Sequence, residues 1–215
     1  MGMGLVVTMA ALVLGLLVSS AKSFYDAQST ELAQISSKVI LLDRLLAHYG
    51  PETKEVRDLL RGIVAKSIDT TWPEERTQPA RMGVPSRVGA PTTGAENLVA
   101  KIQALSPSDD RQHTIQTQSL NMVIDLAQTR WLMYEQGTSA VSKPMLAILV
   151  FWLTAIFISF GLFAPRNATV ITALFITGMA VSGAIFLILE MYAPYGGLIE
   201  ISSAPLRATL AQLGQ

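Results

Sequence analysis

Lys143–Pro194 reads KPMLAILVFWLTAIFISFGLFAPRNATVITALFITGMAVSGAIFLILEMYAP. Two apolar limbs, Met145–Phe163 and Ala168–Leu189, run without a charge on either side of the turn Ala164-Pro165-Arg166-Asn167. Each limb has about 20 residues, the length a helix needs at ~1.5 Å of rise per residue to cross ~30 Å of hydrocarbon. Pro165 cannot continue the first helix, and Asn167 can cap the second. The pattern predicts a transmembrane helical hairpin with spans at 144–164 and 168–192.

The charges lie elsewhere. Of the 16 Lys and Arg, all but Arg166 and Arg207 fall between Lys22 and Lys143, and of the 16 acids all but Glu190 and Glu200 do. A charge-balanced, water-facing middle is therefore flanked by apolar ends, and the balance points away from nucleic acid as a partner. The chain has no Cys, which excludes disulfides, thiolate nucleophiles and cysteine metal sites. His48 and His113 are the only imidazoles, and no catalytic triad order, zinc spacing or phosphate-cradling glycine loop is present. The reading is of a chain that is not an enzyme, with no catalytic, cofactor or metal residues.

Residues 1–21 are uncharged and apolar. A secretory signal peptide competes with a first transmembrane helix here, because Ser19 and Ala21 are spaced like a cleavage site. A signal peptide needs a basic leader, however, and the first charge is Lys22, on the far side. An uncleaved span fits better. Lys22 follows this segment and Lys143 precedes the next, so the positive-inside rule puts both boundaries in the cytoplasm. The expected topology has the N-terminus outside, 22–143 cytoplasmic, the Pro165–Asn167 turn outside and the C-terminus inside.

Along the middle region, Tyr25, Leu32, Ile35, Val39, Leu42, Leu46 and Tyr49 form a heptad-like seam, so helix one is expected to continue into the cytoplasm. The seam packs either on the chain's own helices or on a second copy. Gly50-Pro51 ends it. A helix over 52–71 would bury Val56, Leu59, Ile63, Ile68 and Trp72, leaving Lys54, Glu55, Asp58 and Arg61 as a solvated face with Asp58 and Arg61 paired. Four prolines and three glycines between Pro73 and Gly94 predict a mobile loop at 73–94. A short helix over 95–105 precedes a long one that Asp109 and Asp110 begin and Gly137 ends. Its buried side is read as Ile115, Leu120, Ile124, Ala127, Trp131 and Tyr134. The two acids complement the helix dipole rather than hold a metal.

The second span is aromatic, with Phe151, Phe157 and Phe160 as candidate pore or gate residues. The third is rich in small residues, and Gly178, Ser182 and Gly183 are candidates for close helix packing. Glu190 is the one ionisable residue in a span, near its cytoplasmic end, and is either a pore group or an interfacial packing group. Beyond it, 193–215 reads as an interfacial segment. Leu198–Ser202 alternates like an extended strand, and a short helix then carries Leu206, Leu210 and Leu213 on one side.

Ile40–Glu52 (ILLDRLLAHYGPE), Trp72–Glu75 (WPEE), Asp125–Gln136 (DLAQTRWLMYEQ), Phe151–Val170 and Gly183–Leu206, with its GLIEISSAPL tail, resemble the bacterial bestrophin-like membrane protein family, a domain of unknown function. The resemblance spans nearly the whole chain. It implies a bacterial inner-membrane protein, and the family label suggests likeness to bestrophins, which are pentameric anion channels. The resemblance implies a second acid, often present two places after the position of Glu190, where this chain has Tyr192.

The expected fold is therefore an all-α membrane protein, with three transmembrane helices and a helical cytoplasmic region. The expected function is an oligomeric bestrophin-like channel for a small inorganic ion. The partners implied are the lipid bilayer and further copies, pentameric by family analogy. The other reading is a non-conducting membrane scaffold or sensor whose cytoplasmic helices bind a partner.

Overall fold

A computed structural model describes residues 2–73, 93–139, 143–163, 165 and 167–215. Among them every regular element is helical: α1 (Gly2–Tyr49), a 3-10 turn (Pro51–Thr53), α2 (Lys54–Thr71), α3 (Thr93–Gln103), α4 (Asp110–Ser139), α5 (Lys143–Phe163), α6 (Ala168–Met191) and α7 (Ala204–Gln212). Residues 74–92 of the expected mobile loop and Arg166 lie outside the described residues, while Thr93 and Gly94, counted with that loop, already belong to α3. The chain divides into two compact units, residues 1–26 with 139–194, and residues 27–138 with 195–215.

The first unit contains the apolar segments. Three helices, α1, α5 and α6, are long and apolar enough to cross a membrane. They meet in a small apolar cluster of Leu17, Ala21, Leu149 and Ile188, bordered by Val13, Leu14, Met145, Leu153, Met191 and Tyr192. Ala21, the residue a signal peptidase would need, is fully buried in the middle of α1. Asn167 starts α6 with its main chain only, its carbonyl accepting from the N–H of Val170 and Ile171 while its side chain caps nothing.

The second unit is built on the seam. Leu32, Ile35, Val39, Leu42, Leu46 and Tyr49 are all buried within the chain itself. Own-chain packing is thus the use made of these residues. Gly50 turns the chain at φ 144°, a backbone that side-chain-bearing residues rarely adopt. Thr53 then closes the end of α1, its hydroxyl donating to the carbonyls of Leu46 (2.6 Å) and Gly50 (2.8 Å). At α4 the Asp109 carboxylate accepts from the Gln112 N–H at 2.6 Å, and the Gln112 side chain accepts from the Ser108 N–H. This is a cap of the kind expected where orphan N–H groups begin a helix.

Several sequence expectations are corrected. On α2 the buried positions are Val56, Leu60, Val64, Ile68 and Thr71, one step round from Leu59 and Ile63. On α4 they are Ile115, Ser119, Val123, Leu126 and Met133, whereas Ile124 and Trp131 are about half exposed. Apolar residues occupy both sides of that helix, so periodicity alone picks the larger side chains and the wrong face. The side chain of Tyr134 lies outside the described residues. Gly137 does not end α4, which continues to Ser139. Residues 198–202 form no strand, since no second extended segment among the described residues is there to pair with them. In α7 and at its C-cap the buried positions are Leu206, Thr209 and Leu213, with Leu210 only half-buried. Among the described residues Asp58 and Arg61 form no ion pair; Arg57 pairs with Asp43 and Glu55 with Lys101 instead.

Candidate functional site

In the first unit the aromatic row of α5 divides. Phe151 is 70% exposed and Phe160 46%, while Phe157 is half-buried and turns toward α6. A Cβ placed on Gly178 would lie 3.9 Å from the Phe157 ring, so the two candidates touch across the α5–α6 contact. Ser182 and Gly183 face outward, and nothing lies within 4 Å of a Cβ built on Gly183. The structure therefore joins Phe157 to Gly178 and leaves Phe151, Phe160, Ser182 and Gly183 on open surface.

Glu190 is half-buried at the penultimate position of α6, and its carbonyl accepts from the Ala193 N–H at 3.0 Å. Polar and aromatic contacts surround this end. The Tyr192 hydroxyl donates to Ser20 Oγ at 3.1 Å, and the Tyr192 ring lies 5.5 Å from that of Phe24. Lys22 pairs with Asp26 one turn on. The apolar cluster of Leu17, Ala21, Leu149 and Ile188 lies just inside this belt. It draws side chains from all three helices, Leu17 and Ala21 from α1, Leu149 from α5 and Ile188 from α6.

The second unit holds two polar arrangements that sequence reasoning did not find. In the first, Trp72 Nε1–H donates to the Ile201 carbonyl at 2.8 Å, and its ring meets Tyr195 edge-on at 5.8 Å. The Tyr195 hydroxyl in turn donates to Gln28 Oε1 at 3.2 Å. The end of α2, the start of α1's polar half and the segment after α6 are thereby tied together. In the second, Arg57 forks onto Asp43, Nε to Oδ1 at 2.7 Å and Nη2 to Oδ2 at 2.8 Å. The Gly214 N–H adds a bond to Asp43 Oδ2 at 3.2 Å, and Arg57 Nη2 reaches the Gln215 main-chain oxygen at 3.3 Å.

The Asp43 side chain is only 4% exposed. Burial pushes its carboxyl upward, but the Arg57 hydrogen bonds, the Gly214 N–H and the charges of Arg57 and Arg44 outweigh it. The group is held below the ordinary carboxylate value. A signal for this pair was present: Asp43 is four residues from Val39 and three from Leu46, on the seam's own face, where an acid needs a partner. Gln28 and Ser36 sit on that face too, and both are buried.

The profile of the bestrophin-like domain fits residues 2–206. No curated protein and no solved structure matches the chain.

Proposed function

Because the chain belongs to the bestrophin-like family, we propose that it is a membrane protein whose copies assemble into an ion-conducting pore. One observation carries this reading. The three apolar helices close on each other around Leu17, Ala21, Leu149 and Ile188, yet Phe151, Phe160, Ser182 and Gly183 remain on open surface. A conduit has to be built between copies. Exposed small residues on α6 allow helices of neighbouring copies to approach closely. An aromatic ring of Phe151 or Phe160 from each copy would form a constriction that gates by dewetting. Glu190 then stands near the mouth on the side of Lys22 and Lys143, which the positive-inside rule assigns to the cytoplasm.

The scaffold reading is weaker, because the seam that motivated it is buried in the chain's own second unit. No group in this reading performs covalent chemistry. The test is liposome flux of chloride and of potassium, with the particle mass measured by light scattering. Flux from an oligomer, raised by Phe160→Ala and Phe151→Ala, supports the proposal. A monomer that passes neither ion sinks it.

A further inference from the structure

A cavity of about 270 Å³ opens at the corner between α1 and α2, wholly within the second unit. Its wall includes Lys54, Arg57, Asp58 and Arg61 of α2, with Gly50 and Gly214 beside them. Residues three and four apart share a helix face, so the cations at 54, 57 and 61 point the same way. Taken as a pattern this is a solvated face, and surface lysines by themselves mark nothing. Two features of the geometry go further.

The first is that one cation is fixed. Arg57 is locked by its fork onto Asp43 and by the Gln215 oxygen, which together engage Nε and Nη2. The two Nη1 hydrogens of the same rigid guanidinium have no acceptor among the described residues. A donor pair already immobilised loses little freedom on meeting a ligand. The second is convergence. Arg61 Nη1 lies 3.9 Å from the position of a Cβ on Gly214, the residue that bonds Asp43 and precedes Gln215. Arg57, Arg61 and Lys54 thus line one opening. Asp43 is already neutralised by Arg57, Asp58 is the acid among the wall residues, and the Glu52 carboxylate lies against Gly50 at the edge. Lys54 and Arg61 form no ion pair among the described residues.

The geometry points to a binding site for a phosphate-type oxyanion, with Arg57 Nη1, Lys54 and Arg61 as its donors. Guanidinium forks match the oxygens of phosphate, and charge-assisted bonds of this kind are the strong ones. The volume sits just below the ~300–1,000 Å³ of sites for drug-sized ligands. It has room for inorganic phosphate or a small phosphate monoester. A lipid headgroup presents the same chemistry, and the two sources are separable.

Full-length protein in detergent is titrated with inorganic phosphate and with glycerol 3-phosphate by calorimetry, ionic strength being held constant with chloride. Saturable binding is expected. Lys54→Gln and Arg61→Gln should each weaken it about tenfold, the size of one lost charge-assisted bond. Asp58→Asn should tighten it. All three positions are exposed, and circular dichroism checks that the fold is kept. Nanodiscs with phosphatidic acid form the second arm: loss of phosphate binding there assigns the site to a headgroup, and retention assigns it to a free anion. No saturation below ~10 mM, where affinity falls under about 3 kcal/mol, overturns the site. So does an equal response of all variants, which is a general salt effect.

Discussion

Removing one side of the Asp43–Arg57 fork is the sharpest perturbation of the second unit. Arg57→Met keeps most of the aliphatic stem and deletes the two bonds at 2.7 and 2.8 Å, leaving a carboxylate that is 4% exposed with only the Gly214 N–H. Breaking a buried pair from one side costs about 3–5 kcal/mol, because the remaining charge is stranded. The Arg57 side chain is 20% exposed, so water reaches the gap and the lower end applies. About 3 kcal/mol at 2–4 °C per kcal/mol lowers the unfolding midpoint by ~6–12 °C for a chain of this length. Thermal unfolding in detergent, followed by circular dichroism and tryptophan fluorescence, measures it.

The pH dependence supplies an independent sign. In the wild type the Asp43 carboxyl is held below its ordinary value of 3.8. Its contribution is therefore complete above that value and is lost only as pH falls through the lower, folded-state one. In Arg57→Met the main downward pulls are gone and burial dominates, so the carboxyl titrates above its ordinary value. Its penalty is then relieved by protonation. The midpoint gap between wild type and variant should be widest near pH 7 and should narrow on acidification toward pH 5. Asp43→Leu with Arg57→Met should recover much of the loss, since no charge is left buried. A single variant costing under about 1 kcal/mol, or a gap unchanged with pH, would refute the account.

Other substitutions test other parts. Trp72→Phe removes the donor to the Ile201 carbonyl and should cost about 1–2 kcal/mol; faster hydrogen exchange in residues 198–203 reports it. Leu149→Ala empties the centre of the α1–α5–α6 cluster and should cost about 2–4 kcal/mol of unfolding free energy. Arg130 is half-buried, is pulled below its ordinary pKa by burial alone and makes no ion pair among the described residues, so Arg130→Met should raise the unfolding midpoint. The absence of Cys makes topology directly measurable: a cysteine at Asn167 should react with an impermeant thiol reagent on intact cells, and one at Thr92 should not.

The hairpin was legible because lipid leaves a coarse signature: charge-free runs of the right length bounded by Pro165. The seam was legible for the same reason in water, since Leu32 to Tyr49 repeat at helical spacing. Its use was not, because burial by α2, α4 and α7 or by a second copy demands the same side chains. α4 was misread where Ile124 and Trp131 stand on the other side from Val123, Leu126 and Met133, and size misled. Asp43–Arg57 escaped because the partners are 14 positions apart across a turn, beyond any helical period. Gly214 escaped entirely: its part is a backbone N–H, which no side-chain pattern can announce.

The placement of the small residues on α6 bears on how the activity would depend on assembly. Gly178 already meets Phe157 of its own chain, whereas at Gly183, further along, a Cβ would meet nothing within 4 Å, and its neighbour Ser182 is exposed. Hydrophobic burial drives no association between apolar helices in lipid, so contact there has to come from close packing at such positions. Gly183→Leu should therefore leave the single chain intact, since its open surface has room, while preventing a neighbour's approach. The expected result is a particle of smaller mass with an unchanged helical spectrum and lost flux. Gly178→Leu meets the Phe157 ring instead and should lower the unfolding midpoint. If Gly183→Leu retains the wild-type mass and flux, the face bearing Ser182 and Gly183 contacts only lipid, and a conduit between copies would have to be walled by another surface.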